Sequence, residues 1–218
     1  LVLTGPGATF GAQGLQASDT WAPQVARKAA IDALYAQSQE VALGDAYTAA
    51  QRDAFAMSTR LGALVKTKPG DADAIAAIDT AFAPITGADK KITTPLGNQL
   101  YQLAKLIAGN ATVQGNRQLF FASMGGFDTH GNQLVTGSPL EGDHARLLKQ
   151  LGDALAAFYA ALKAIGLGDA VTTFTQSDFG RTFAPNNSTG TDHAWGNQHL
   201  VIGGAVKGGL TYGTYPEL

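Results

Sequence analysis

The chain has 218 residues, 45% of them hydrophobic, which is enough to fill the core of one large globular domain or two small ones. A formal net charge of −2 with scattered Lys and Arg argues against a nucleic-acid partner, and no apolar run approaches the roughly 18 residues of a membrane span. Because the sequence contains no cysteine, disulfides and thiolate ligands are excluded, and any metal must be held by oxygen and imidazole nitrogen.

The first half of the sequence predicts helices. Residues 1–20 are rich in Gly, Thr and Ala and predict an irregular entry segment, whereas residues 21–66 are Ala-rich with apolar residues at helical spacing and predict two helices. A short helix over 71–82 and a longer one over 93–107 follow, the second with Thr at its cap and Pro at its first position. Residues 1–110 are therefore predicted to form a mainly helical segment packed on a sheet.

The second half alternates strand-like runs with a helix. Strands are predicted over 117–123, 170–176 and 199–205, and a helix over 139–165 whose start shows a capping-box pattern. A strand, a helix and a strand in this order favour a right-handed crossover, so that the strands run parallel and the loops after them share one sheet edge. We therefore expect residues 111–218 to form an α/β part with a mostly parallel sheet flanked by helices.

Three glycine-bearing loops next to these strands carry side chains that could bind a metal. The loops are Gly125–Gln133, Ser177–Thr182 and Thr191–His199. The predicted ligands are Asp128, His130, Asp178, His193 and His199. Open α/β sheets collect their ligands at strand ends, and mixed carboxylate and imidazole donors suit Zn²⁺, Mn²⁺, Mg²⁺ or Ca²⁺. Because Asp128 and His130 flank a single residue, an extended loop would point both side chains the same way.

Each candidate residue also has a structural explanation. Asp128 could accept backbone N–H groups of a turn, His199 could be a satisfied core histidine, and His144 in the long helix is more typical of packing. Arg181 could clamp a phosphate- or sulfate-like group, or form an ion pair with the Asp of its own loop. Arg181 and Asp192 are the predicted catalytic residues.

Read together, the three loops resemble a bacterial family of exported proteins known as domain of unknown function 1501, whose members usually carry a twin-arginine signal. The resemblance runs from about Thr93 to the C-terminus and includes Gly190–Gly209. That family in turn resembles the alkaline phosphatase and sulfatase superfamily, which cleaves phosphate or sulfate esters at a one- or two-metal site on a mostly parallel sheet. The resemblance implies a bacterial protein that is periplasmic or secreted.

The superfamily resemblance also implies roles for individual residues. The implied metal ligands are Asp128 and His130 as one pair, Asp178, and His193 or His199. The motif around Asp178 usually reads Ser-Asp-His-Gly, and this chain has Phe179 in place of its His, which argues against a second metal. An early Asp with a Ser or Thr nucleophile is not evident in the sequence. We therefore expect the amino-terminal part of an alkaline-phosphatase-like fold to be missing and to be a partner of this chain.

These observations lead to one leading hypothesis and two alternatives. The leading hypothesis is an exported metal-dependent hydrolase that acts on phosphate or sulfate esters, with a small anionic ester or a polymer as substrate. The first alternative is a non-catalytic cell-envelope binding or structural protein with a degenerate form of the site. The second is a serine hydrolase that uses Ser177 and a nearby His, although no Gly-x-Ser-x-Gly context surrounds that serine.

Overall fold

The structure is a computed structural model that describes residues 14–15, 19–38, 41–113, 117–138 and 140–214. Contacts group the chain into two compact units, unit 1 with residues 1–74 and 105–119 and unit 2 with residues 75–104 and 120–218. The division expected near residue 110 stays a prediction. The irregular segment expected over 1–20 lies mostly outside the described residues.

Helices supply most of the regular structure. They are α1 (Ala22–Ala36), α2 (Ala42–Lys66), α3 (Ala76–Phe82), α4 (Pro95–Ala108), α5 (Asn110–Val113) and α6 (Asp143–Ala164), with 3-10 turns at Ala83–Ile85 and Gly168–Ala170. The strands are β1 (Thr173–Phe174), β2 (Gly180–Arg181), β3 (His193–Ala194) and β4 (Val201–Ile202). Within the described ranges, no helix is both long and apolar enough to cross a lipid bilayer.

The predicted mostly parallel sheet is wrong. β1 pairs with β4 and β2 pairs with β3, and both pairs are antiparallel two-residue ladders. The segment 117–123, expected to be the first strand, contains no strand residue. The right-handed crossover between parallel strands is therefore absent from the described part of the chain, and the α/β class with an alkaline-phosphatase-like sheet does not hold.

The exposure of the strand-like segments explains why the parallel sheet does not form. Strands of a parallel sheet are covered on both faces and so need apolar contacts on each side. Here Phe121 is 89% exposed and Phe174 is 67% exposed, so neither side chain has such a cover. The backbone of Ser123 pairs instead with the side-chain amide of Gln99, which donates to its carbonyl over 2.8 Å and accepts from its N–H over 2.9 Å.

The helices follow the sequence more closely because their signals are local. The two helices expected over 21–66 and the helix expected over 93–107 are confirmed. Thr94 caps α4 by accepting the N–H of Gly97 over 3.1 Å. The capping box expected near residue 138 is wrong, because α6 begins only after Gly142, whose φ of 116° suits glycine and which has no side chain to cap the helix. Pro139 of that expected pattern lies outside the described residues.

In the core of unit 2, α3 packs on α6, and α4 contacts α3 through Tyr101. Tyr101 is fully buried; its ring meets Phe82 edge-on at 5.3 Å, and its hydroxyl donates to Asp79 over 2.7 Å. A Cβ at Gly126, whose φ is 96°, would lie 3.2 Å from the side chain of Leu147, so Leu147 of α6 lies beside this glycine of the loop that carries Asp128. The buried apolar residues of unit 2 are Ile78, Phe82, Ile85, Ile92, Leu96, Leu100, Tyr101, Ala104, Leu147, Ala154, Leu155, Ala157, Phe158, Ala161 and Leu162.

In unit 1 the end of α2 is capped by a buried lysine. Lys105 is only 1% exposed, and its ammonium group donates to the carbonyl oxygens of Leu64, Val65 and Thr67 over 2.9, 3.2 and 2.7 Å. The last carbonyls of a helix lack partners within the helix and carry partial negative charge. Lys105 therefore satisfies both the hydrogen-bonding and the charge requirement of this helix end.

Lys105→Met should lower the free energy of unfolding by about 2 kcal/mol, because it leaves buried carbonyl groups without a charged donor. Urea denaturation followed by circular dichroism measures this change. Lys66→Met is the matched control, since Lys66 is an exposed lysine at the same end of α2. Equal stability of the two variants would show that the cap contributes nothing.

Candidate metal centre

Asp128 and His130 project together from an extended loop because the residue between them is buried. Thr129 is 5% exposed, and its hydroxyl donates to the side-chain oxygen of Gln133 over 3.0 Å. Alternation along an extended chain then sends both neighbours to the opposite side. His130 Nε2 lies 3.1 Å from Asp128 Oδ1. The expectation that these two side chains point the same way is confirmed.

The β2–β3 pair brings His193 to the same place. In its register Arg181 lies opposite His193 and Gly180 opposite Ala194. A Cβ at Gly180 would overlap the carbonyl oxygen of Gly196, so only glycine permits this close pairing. His193 Nε2 lies 2.8 Å from Asp128 Oδ1, although the two residues are 65 positions apart in sequence.

The three candidate ligand atoms are close enough together to share one cation. One atom each from Asp128, His130 and His193 lie within 4.8 Å of one another, and their side chains are 59%, 49% and 50% exposed. Ligands about 2.1 Å from a tetrahedral ion are themselves roughly 3.4 Å apart. The observed Oδ1–Nε2 distances of 2.8 and 3.1 Å are close to that separation. All three side chains are about half exposed, so the cluster faces solvent.

Asp192 holds His130 from the other side of its ring. Its Oδ1 lies 3.0 Å from His130 Nδ1. His130 Nε2 also lies near a carboxylate, that of Asp128, but of the two contacts only the one between Nδ1 and Asp192 has hydrogen-bond geometry. An ionised carboxylate only accepts hydrogen bonds, so this contact favours the tautomer with its proton on Nδ1 and the lone pair on Nε2. A carboxylate behind a ligand histidine is a common feature of metal sites. The predicted catalytic residue Asp192 thus lies where it orients the ring of His130.

An aromatic ring supports His193. Phe179 stacks on the imidazole at 4.1 Å with an interplanar angle of 12°, and His130 stacks at 4.9 Å with an angle of 28°. Phe179 stands where the expected superfamily resemblance would place His. In this structure it restrains the orientation of His193 by contact with its ring face.

Arg181 links the loops through backbone carbonyls. It is 16% exposed, and it donates to the carbonyl oxygens of Thr191 and Phe127 and to Asp128 Oδ1, each over 2.7 Å. These contacts favour the structural explanation over the anion clamp, since both terminal nitrogens of the guanidinium are occupied. Its ion-pair partner is Asp128 from another loop and not Asp178 from its own.

Other candidate residues lie outside the cluster. Asp178 and His199 are exposed and join no group of metal-ligand side chains in the described ranges, so their ligand roles stay predictions. His144 is half-buried with its ring edge-on to Phe127 at 6.2 Å. Burial, and then the positive charge of Arg181, lowers the pKa of His144. These contacts favour the packing explanation for His144.

The loop hydroxyls donate to acceptors other than histidine. Ser177 donates to the carbonyl of Phe179 over 2.9 Å, and Thr182 donates to that of Ala184 over 2.9 Å. A serine nucleophile needs a base within hydrogen-bond reach. Ser177 has no histidine partner in the described part of the chain, and the serine-hydrolase hypothesis gains no support from its contacts.

The residues behind the ligands could not be singled out from the sequence. Gln133 accepts hydrogen bonds from the hydroxyls of Thr129 and Thr191 over 3.0 and 2.6 Å. Asn186 donates to Asp192 over 3.3 Å. The run 185–190, rich in Pro, Asn, Ser and Gly, does predict a turn, but composition does not tell which side chain the turn directs towards the site.

A family comparison agrees with the resemblance in these loops. The family model described as Protein of unknown function (DUF1501) matches residues 11–218. The chain belongs to this family. The match is longer than the resemblance expected from about Thr93 onward. The curated proteins and the solved structures contain no match to the chain. The further resemblance to the alkaline phosphatase and sulfatase superfamily stays a prediction.

In this DUF1501 chain a cavity of about 480 Å³ adjoins the network behind the ligands. It is lined by Gln133, Leu134, Val135, Thr136, Gly137, Ser138, Pro185, Thr189, Gly190 and Thr191. None of these side chains is charged. The cavity shares Gln133 and Thr191 with the hydrogen bonds that fix Thr129, and its volume is in the range of small-molecule sites.

The two carboxyl groups of the cluster are stabilised in their ionised form. The hydrogen bond from His193, followed by that from Arg181, holds the pKa of Asp128 below its ordinary value of 3.8. Hydrogen bonds from His130 and Asn186 lower the pKa of Asp192 in the same way. A carboxyl whose pKa is lower in the folded state stabilises the fold above its unfolded pKa and loses that contribution as the pH falls.

We therefore expect the free energy of unfolding to decrease as the pH falls below 3.8, through the lowered pKa values of Asp128 and Asp192. Urea denaturation between pH 3 and pH 7 measures the profile. The double variant Asp128→Asn, Asp192→Asn should show a flatter profile over the same interval. An unchanged profile in the double variant would contradict the assignment.

Proposed function

We propose that this DUF1501 chain binds one divalent metal ion through Asp128, His130 and His193 and acts on phosphate or sulfate esters. The convergence of three ligand atoms within 4.8 Å supports the metal site. The ligands come from two loops, one of them a hairpin whose close pairing depends on Gly180. The ester chemistry rests on the resemblance to the alkaline phosphatase and sulfatase superfamily, as does an exported, periplasmic or secreted location.

The donor set favours a transition metal. Two imidazole nitrogens and one carboxylate oxygen suit Zn²⁺ or Mn²⁺, whereas Ca²⁺ and Mg²⁺ prefer sites made entirely of oxygen. Asp192 orients His130, and Phe179 stacks on His193, so both imidazole rings are already restrained before a metal binds. Metal binding then costs less side-chain entropy. Among the four metals expected from the sequence, we therefore place Zn²⁺ and Mn²⁺ first.

The charge at the cluster supports an anionic substrate. With a divalent ion bound, the cluster would carry three positive charges, two from the ion and one from Arg181. Asp128 and Asp192 would contribute two negative charges, so the net charge would be +1. A site with excess positive charge attracts phosphate or sulfate groups. When bound, the ion would supply Lewis-acid stabilisation of charge on an ester oxygen. The cavity lined by uncharged residues offers a place for the neutral part of such an ester.

A non-catalytic binding or structural protein is the second candidate. The terminal guanidinium nitrogens of Arg181 contact Asp128 and two carbonyl groups, and the hydroxyls of Ser177 and Thr182 donate to carbonyl groups. These contacts leave the described part of the site without a free arginine clamp or an activated hydroxyl. This candidate keeps the metal and lacks turnover.

Zn²⁺ affinity tests the ligand set. Asp128→Asn, His130→Gln and His193→Gln should each weaken Zn²⁺ binding at least about 100-fold, because each removes a ligand from a site with three. Competition with a metal indicator, together with elemental analysis of the protein, measures affinity and stoichiometry. Asp178→Asn and His199→Gln are the matched controls and should bind like the parent protein. Loss of binding in a control would reinstate that residue as a ligand.

Hydrolysis tests the reaction. The metal-loaded chain should hydrolyse 4-nitrophenyl phosphate or 4-nitrophenyl sulfate, lose activity with a chelator, and regain it with added Zn²⁺ or Mn²⁺. Asp128→Asn should lower kcat/KM at least about 100-fold because it weakens the site. One bound metal per chain without turnover would favour the binding candidate, and no bound metal would remove both.

A further inference from the structure

We propose that Asn186 is a positioning residue: through Asp192 it holds His130 in the Nδ1–H tautomer and so presents Nε2 to the metal. The proposal deepens the proposed metal site and rests on it for its functional meaning. The tautomer of His130, however, can be measured without any metal. The two ideas can therefore fail separately.

Both ends of the Asn186 side chain are engaged. Its Oδ1 accepts the backbone N–H groups of Ser188 over 2.9 Å and Gly190 over 3.1 Å. Its Nδ2 donates to the carbonyl of His130 over 2.9 Å and to Asp192 Oδ1 over 3.3 Å. Since backbone N–H groups can only donate, the atom facing them must be the amide oxygen. The amide nitrogen is then fixed towards His130 and Asp192.

Asp192 needs such a partner because it is not held by burial. Its side chain is 61% exposed, and one oxygen atom, Oδ1, receives both Asn186 Nδ2 and His130 Nδ1. Two hydrogen bonds to Thr182, of 3.0 and 3.2 Å, fix the Asp192 backbone but leave the side chain free to rotate. The amide donor of Asn186 selects the rotation that faces His130.

Asn186 also acts on the backbone of His130. The same Nδ2 that contacts Asp192 donates to the His130 carbonyl. Gly190 lies so close to the His130 carbonyl that a Cβ on Gly190 would overlap that group. The carbonyl oxygen of Gly190 also accepts the backbone N–H of Asn186 over 2.8 Å. One side chain thus restrains both the main chain of His130 and the carboxylate that orients its ring.

Asn186→Asp separates the two roles of this residue. The variant keeps an oxygen acceptor for the N–H groups of Ser188 and Gly190, but it replaces the amide donor by a negatively charged acceptor beside Asp192. We expect the turn to persist and His130 to change from the Nδ1–H tautomer to a mixture of tautomers. Zn²⁺ affinity should fall about 10- to 100-fold. Ser188→Ala, which keeps the backbone N–H, is the control and should match the parent protein.

Two measurements on the full chain decide the question. Long-range ¹⁵N–¹H correlation spectra of the histidine rings report the tautomer without metal, and indicator competition reports Zn²⁺ affinity. Unchanged spectra and unchanged affinity in Asn186→Asp would overturn the proposal. A tautomer shift in a chain whose parent form binds no Zn²⁺ would support the positioning role and remove the proposed metal function.

A double-variant cycle with Asp192→Asn tests whether Asn186 acts through Asp192. If it does, Asn186→Asp should change the tautomer ratio and the affinity much less in the Asp192→Asn background than in the parent protein, because coupled residues are not additive. Fully additive effects would overturn the proposed route. Should Asn186→Asp fail to fold, Asn186→Ser provides a shorter side chain whose oxygen can still accept from the turn but which lacks the amide group that donates to His130 and Asp192, and the same readouts apply.

Discussion

A single carboxylate oxygen connects the parts of the candidate site. Asp128 Oδ1 lies 2.7 Å from Arg181, 2.8 Å from His193 and 3.1 Å from His130. Each of these contacts is partly exposed, and isolated ion pairs of this kind stabilise a protein little. Their importance is geometric, because one acceptor fixes the mutual positions of two imidazole rings and a guanidinium. The local structure around the cluster holds His130, His193 and Arg181 within contact distance of that oxygen.

Side chains that bind the backbone, and not an extended sheet, provide this arrangement. Arg181 donates to two carbonyl groups, and Asn186 contacts both N–H groups and a carbonyl. Each pairing satisfies main-chain groups that loops would otherwise leave to solvent. A short antiparallel ladder, β2–β3, completes the frame. The site is therefore a cluster of loops with its own hydrogen-bond network, and it does not need the parallel sheet expected from the sequence.

Local signals could be read from the sequence, whereas long-range pairing could not. The helices follow from their 3.6-residue periodicity, and the joint orientation of Asp128 and His130 follows from the two-residue alternation of an extended loop. The partner of each strand depends on contacts far along the chain, so the order of elements wrongly suggested parallel neighbours. The roles of Phe179 and Asn186 could not be predicted from the sequence either. The stacking of Phe179 on His193 and the hydrogen bonds of Asn186 to His130 and Asp192 depend on where each loop turns. In the sequence, Phe179 is interpreted only as the absence of the histidine of a Ser-Asp-His-Gly motif.

The stacking of Phe179 on His193 also gives the site a spectroscopic signature. Protons held over the face of a benzene ring are shielded by its ring current, and the imidazole lies almost parallel to that ring at 4.1 Å. Among the four histidines of the chain, His193 should therefore give carbon-bound ring resonances displaced to unusually low frequency. Movement of the β2–β3 pair would appear directly as movement of those lines.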